Sequence, residues 1–158
     1  MDSLRKQLVD SALSWEKAYC NAPAITSAFS ELDAACLVGM SSKEYCESVV
    51  GTTVVRKGFD FRFNDIRYQI KANRPSDKPG SKVTRVGKAR NYDWDVLIWI
   101  LYDSKYEIQE AWKWNVTDYK KEFDARKRLS PADYRQGTEC QVTQQSVAQD
   151  NFSAALQL

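Results

Sequence analysis

The chain has 158 residues, a hydrophobic fraction of 43%, an aromatic fraction of 12% and a formal charge of +2. These values fit one domain with its own hydrophobic core, exclude a disordered chain, and leave no apolar run approaching a membrane span. The sequence contains no histidine, which excludes Ser-His-Asp and Cys-His hydrolases, histidine general bases and histidine-ligated zinc built from this chain alone.

Any catalysis must therefore use Asp, Glu, Lys, Tyr, Ser or a metal held by oxygen. Cys20, Cys36, Cys46 and Cys140 show neither C-x-x-C spacing nor the density of a disulfide scaffold, and they read as buried thiols. The opening MDSLRKQLVDSALSWEKAYC carries charges throughout and lacks the apolar core of a signal peptide, so a cytoplasmic location is expected. The charge is unevenly spread. Between Lys71 and Arg90, seven basic residues face one acid, Asp77, a local balance of +6. Such a segment suits a phosphate-rich ligand.

In chain order, residues 2–19 predict an amphipathic helix with Leu4, Leu8, Ala12, Leu13, Trp15 and Ala18 as its apolar positions. A second helix is expected over 26–38, with Phe29, Leu32, Ala35 and Cys36 inward and Gly39 as its C-terminal cap. Ser41 and Glu44 have the spacing of a capping box, which starts a third helix over 42–50. Glu44 and Glu47 share a face of that helix. Val54-Val55 reads as a short strand or an extended lead-in.

Residues 58–71, GFDFRFNDIRYQIK, alternate apolar and polar residues on both sides of Asn64-Asp65. That pattern predicts a β-hairpin with a two-residue turn. Its register sets Phe63 against Ile66, Arg62 against Arg67, Phe61 against Tyr68 and Asp60 against Gln69. Asp60, Gln69 and Lys71 then lie on one face.

The following ANRPSDKPGSK has the composition of a loop, and residues 83–92 are open between an extended segment and a short helix. WDVLIWIL, residues 94–101, predicts a buried central strand, and 106–114 an antiparallel neighbour. Trp94, Trp99, Trp112 and Trp114 are candidates for base stacking, but strand aromatics are more often core, and Trp99 is assigned there. A charged helix is expected over 117–128, and Ser130-Pro131-Ala132-Asp133 starts another. The fold class is α/β, a mixed sheet of four or five strands flanked by helices. One domain spans 1–136, with a helical part over 1–50, a sheet core over 52–115 and C-terminal helices over 116–136. A glutamine-rich tail follows over 137–158.

An acidic helix, an Asp-bearing strand, a Gln-x-Lys strand and a buried strand, in that order, resemble the PD-(D/E)XK nuclease superfamily, the restriction-endonuclease-like fold. The matching elements run from about Glu44 to Trp114, nearly half the chain. The resemblance implies a metal-dependent endonuclease that hydrolyses phosphodiester bonds of nucleic acid, DNA above RNA, with Mg2+ or Mn2+ as cofactor. It makes Asp60 the metal-binding aspartate, with Asp65 at the hairpin tip as a lesser candidate. Gln69 takes the (D/E) position and Lys71 is the lysine that positions or activates the attacking water. Glu47, favoured over Glu44 because the cap engages Glu44, is the helix acid. The chain departs from the family in having Phe59 before Asp60 and a neutral Gln69 in place of an acid. A glutamine oxygen can ligate magnesium but brings no charge.

Arg74, Lys78, Lys82, Arg85, Lys88 and Arg90 are the expected phosphate contacts. Tyr92 and Asp93 are candidates for supporting the site from behind. Members of the superfamily that cut both strands often form homodimers. Two other readings stand beside the nuclease: a DNA-binding module of the same fold that does not cut, and a non-enzymatic protein-interaction domain.

Overall fold

The apolar runs assemble into one five-stranded sheet with helices on both faces. The computed structural model describes residues 3–50 and 58–142. In chain order the elements are α1 (Ser3–Tyr19), α2 (Thr26–Leu37), α3 (Ser42–Val49), β1 (Phe61–Phe63), β2 (Ile66–Asn73), β3 (Val96–Tyr102), β4 (Ile108–Asn115), α4 (Val116–Phe123), α5 (Pro131–Tyr134) and β5 (Thr138–Glu139). The sheet order is β1-β2-β3-β4-β5; β2 and β3 are parallel and the other neighbours antiparallel. The expected Val54-Val55 strand lies outside the described residues.

Local chemistry explains several boundaries. Ser41 Oγ accepts the Glu44 N–H, and the Glu44 carboxylate accepts the Ser41 N–H, closing the capping box of α3. Gly39, at φ 88°, takes the left-handed turn after α2. Asn64 and Asp65 both have positive φ, 49° and 61°, as a type I′ hairpin turn requires. The pairs Phe61–Tyr68, Arg62–Arg67 and Phe63–Ile66 follow the register expected from the sequence.

Strand alternation splits the core in two. Tyr68, Ile70, Ile98 and Ile100 point to one face, where Phe29, Ala34 and Ala35 of α2 and Val9 and Ala12 of α1 cover them. Leu97 and Trp99 point to the other, against Trp94, Tyr119 and Phe123 of the α4 side and Tyr134 of α5. Trp94 and Trp99 are fully buried and serve the core. Gln69, Lys71 and Asn73 alternate with the first set and so share the second face. The crossover between the parallel strands, residues 74–95, contains no helix. It is tied down instead by a bridge from Val86 to Leu129, by the Ala89 N–H donating to the Tyr119 hydroxyl, and by the Tyr134 hydroxyl donating to the Gly87 carbonyl.

Four expectations need correction. Of the apolar positions expected in α1, Ala12 is buried and Leu13 packs on the core, whereas Leu4 (71%), Leu8 (39%), Trp15 (52%) and Ala18 are exposed, and Arg5, Val9 and Glu16 complete the inward side. Buried ion pairs orient this helix: Arg5 grips Asp33 at 2.7 and 2.8 Å, and Glu16 holds Arg74 at 2.6 Å. None of the four cysteines forms a disulfide, yet Cys20, Cys36 and Cys46 are exposed rather than buried. The helix after β4 stops at Phe123, five residues short of the expected end, where Lys88 Nζ claims the Asp124 and Arg126 carbonyls. The segment from Gly137 is not wholly a tail, because Thr138–Glu139 pairs with Trp112 and Lys113 as β5, and Cys140 and Val142 pack on the core. Among the described residues, no helix is long and apolar enough to cross a membrane.

Candidate active site

The hairpin places a carboxylate against an amide. Asp60 precedes β1, and its N–H donates to the Tyr68 carbonyl at 2.8 Å, although Tyr68 is the partner of Phe61, so the regular pairing stops at Phe61 and the expected backbone pairing of Asp60 with Gln69 is not formed. Its Oδ2 accepts two hydrogen bonds, from Gln69 Nε2 at 2.5 Å and from the Ile70 N–H at 2.6 Å. The carboxylate thus takes the place of a backbone acceptor in the ladder. Gln69 is buried at 8% exposure. Its Nε2 is turned to Asp60 and, at 3.4 Å, to the Ile70 carbonyl, leaving Oε1 with no partner among the described residues.

Lys71 lies two residues on, on the same face and half-buried. The position of a Cβ on Gly87 is 3.4 Å from Lys71 Cδ, so the crossover backbone packs along the lysine stem. Lys71 Nζ has no ion-pair or hydrogen-bond partner among the described residues, and it does not pair with Asp60. The ordinary cross-strand salt bridge that these two residues could form is absent. Asn73 completes the row, its Oδ1 accepting from Trp99 Nε1 at 2.9 Å.

Asp60 is approached through a tight corner. Gly58 has φ 93°, and a Cβ there would lie 2.5 Å from Asp93 Cβ and 3.0 Å from Asp93 Oδ2. A glycine is needed on both counts. Asp93 thereby borders the chain two residues before Asp60. Tyr92 does something else: its hydroxyl donates to Asp124 at 2.6 Å, and burial, then that carboxylate, pushes the phenol up to about 12.

The remaining expected residues are dispersed. Glu47 points away from the sheet, about half a turn round α3 from Tyr45, which packs on Phe61. Its side chain is 66% exposed and its cation is Lys43 at 3.9 Å. The described structure does not bring it to Asp60 and Gln69. Glu44 is occupied by the cap, and the hydrogen bonds from Ser41 hold its carboxyl below the usual range. Asp65 sits exposed at the hairpin tip. Among the described residues, no three His, Cys, Asp or Glu side chains gather as a metal-binding group.

Arg74 is a correction. Its side chain is 5% exposed, ion-paired with Glu16, hydrogen-bonded to the Ser104 carbonyl, and 4.1 Å above the Tyr106 ring. It is a structural tie between α1 and the β3–β4 turn, and it holds the Glu16 carboxyl below its ordinary range. Lys88 also has a structural task, with Nζ at 2.8 and 2.9 Å from two carbonyls at the end of α4. Lys78, Lys82, Arg85 and Arg90 remain exposed.

Two features escaped sequence reasoning. Asp95 accepts the Arg67 backbone N–H and its guanidinium, at 2.8 to 3.0 Å, and the guanidinium foremost pulls its carboxyl down to about 2. The pair links the start of β2 to the residue just before β3. The second feature is an open groove beside α4, walled by Tyr92, Lys120, Lys121 and Asp124. The doublets Lys120-Lys121 and Arg126-Lys127 were its available signal. Comparison of the chain with protein-family models and with curated proteins found no match.

Proposed function

We propose that this chain is a metal-dependent nuclease of the restriction-endonuclease-like fold, hydrolysing phosphodiester bonds of DNA. The observation that carries the reading is a half-buried Lys71, without a partner among the described residues, on the same strand face as Gln69, which is hydrogen-bonded to Asp60. Lys71 does not pair with Asp60, whose Oδ2 is taken by Gln69 Nε2 and the Ile70 N–H, so its ammonium is open to a ligand.

The donor set fits a magnesium or manganese ion. Asp60 offers a carboxylate and Gln69 an amide oxygen that has no partner among the described residues, and magnesium is commonly held by one or two carboxylates with water and substrate phosphate completing its shell. With Glu47 turned away, Asp60 and Gln69 would hold the ion with one carboxylate between them, and the substrate phosphate would supply further negative charge. When bound, the ion supplies positive charge to the scissile group and activates the attacking water. Gln69 Nε2 and the Ile70 N–H fix the orientation of the Asp60 carboxylate. The Lys71 ammonium places a compact charge where the pentavalent phosphate gains negative charge, and it orients the incoming water. The Gly87 backbone packs along one side of the lysine stem.

The test is nicking of supercoiled DNA with magnesium, with manganese and with EDTA, for the wild type and Asp60→Ala. Metal-dependent nicking that Asp60→Ala abolishes is expected. A second reading, a DNA-binding module that does not cut, draws on the burial of Gln69 and on the absence of a three-carboxylate group among the described residues. Salt-sensitive DNA binding by a wild type that never nicks would select it.

A further inference from the structure

Beside α4, two open depressions of about 670 and 480 Å3 join through Tyr92, Asp124 and Ala125. Six cationic side chains line them, Lys88, Arg90, Lys120, Lys121, Arg126 and Lys127, against the single carboxylate of Asp124. Several of these charges have local work. Lys88 caps the carbonyls at the end of α4, Arg126 pairs with Glu122 and Asp133, and Lys120 sits 5.1 Å over the Tyr92 ring. Arg90, Lys121 and Lys127 have no hydrogen-bond or ion-pair partner among the described residues.

The groove is joined to the candidate active site by one short piece of backbone. Gly87 packs on Lys71, Asp93 abuts Gly58 two residues before Asp60, and Lys88, Arg90 and Tyr92 lie between those two contacts. Three residues span at most about 11 Å, so the Arg90 backbone lies within that distance of Gly87. Successive phosphates of a duplex strand advance about 3.4 Å along the axis, so this reach corresponds to about three nucleotides.

We infer that the groove walled by Arg90, Lys121 and Lys127 holds the phosphate backbone of duplex DNA a few nucleotides from the scissile bond. The inference rests on the nucleic-acid reading of the site but not on cleavage. A duplex is favoured over a single strand because single-strand sites present aromatic faces to unstacked bases. Here Trp94 is buried, and the Tyr92 ring is covered by Lys120 and its hydroxyl held by Asp124.

The experiment measures duplex binding by fluorescence anisotropy in EDTA across a salt series. Wild type is compared with Arg90→Ala/Lys121→Ala/Lys127→Ala and with Lys6→Ala/Lys17→Ala/Lys43→Ala. The second variant removes the same charge from the α1–α3 side of the molecule. Each phosphate contact contributes about 0.9 to the slope of log K against log salt, so the groove variant should lose about 2 to 3 in slope and at least about tenfold in affinity near physiological salt. The opposite-face variant should stay close to wild type. Circular dichroism checks folding, and the single charge reversal Lys121→Glu, at an exposed position, serves if the triple variant does not fold. Equal losses in the two triple variants, an unaltered slope in the groove variant, no salt-dependent binding by wild type, or tighter binding of single-stranded RNA than of duplex DNA would each overturn the inference. A wild type that never nicks, with the groove variant still weakened in binding, would remove the nuclease reading and leave the groove assignment standing.

Discussion

Gln69→Glu probes the site where this chain departs from an acidic pair. The substitution puts a carboxyl oxygen where Asp60 now holds an amide nitrogen at 2.5 Å. Two ionised carboxylates that close repel by about 6 to 7 kcal/mol at an effective dielectric of about 20, so the introduced carboxyl keeps its proton instead. Holding that proton near pH 7, against an ordinary pKa of about 4.3, costs about 3.7 kcal/mol. The proton restores a donor to Asp60, so the protonation cost sets the size of the effect. Since the folded-state pKa of the introduced group is raised, the penalty is absent below the unfolded value and grows as pH rises. For a domain of this size, the loss near pH 7 corresponds to a fall in Tm of about 7 to 15 °C. Magnesium should replace the proton as the shared cation and recover part of the loss. Thermal unfolding at acidic and neutral pH, with and without magnesium, reads all of this. A variant as stable as wild type at neutral pH and indifferent to magnesium would refute the geometry.

Arg74→Ala should cost about 3 to 5 kcal/mol, because it strands the half of a buried pair whose side chains are 5% and 12% exposed. Urea unfolding measures it; a weakened DNA affinity with an unchanged midpoint would return Arg74 to the phosphate-binding set. Gly58→Ala forces a Cβ to 2.5 Å from Asp93 Cβ at φ 93°. It should lower Tm and displace Asp60, and a fully active variant of wild-type stability would show that the corner is not needed. Asp95, pulled down to about 2 by Arg67, contributes stability that is complete above the ordinary carboxylate range and is lost as pH falls through that value. Asp95→Asn should therefore flatten the acid limb of Tm against pH, and an unchanged limb would mean the pair contributes nothing.

The hairpin was legible because two local signals agreed: alternation on both arms and turn residues that tolerate positive φ. The α3 cap was equally local, set by Ser41 and Glu44 three residues apart. What was not legible depended on distant partners. The face α1 buries is framed by Arg5 and Glu16, whose partners Asp33 and Arg74 are 28 and 58 residues away, so hydrophobic periodicity placed Ala12 and Leu13 correctly but not Leu4, Leu8 and Trp15. The same distance made Arg74 look like one more cation in a basic loop. Strand β5 has two exposed polar residues and no apolar alternation to announce it. In the candidate site, Gln69 and Lys71 follow from strand alternation, whereas Asp60 lies just before β1 and meets Gln69 through its side chain, and the placement of Glu47 turns on the rotation of α3, which Tyr45 packing on Phe61 decides.

The most direct test of the central claim is the rate of magnesium-dependent nicking of supercoiled DNA by Lys71→Ala beside the wild type, at matched DNA occupancy. Nicking by the wild type that stops with EDTA, and a fall of about a hundredfold or more in the variant with unchanged binding, is the predicted result. Equal nicking rates for the two proteins would contradict the account.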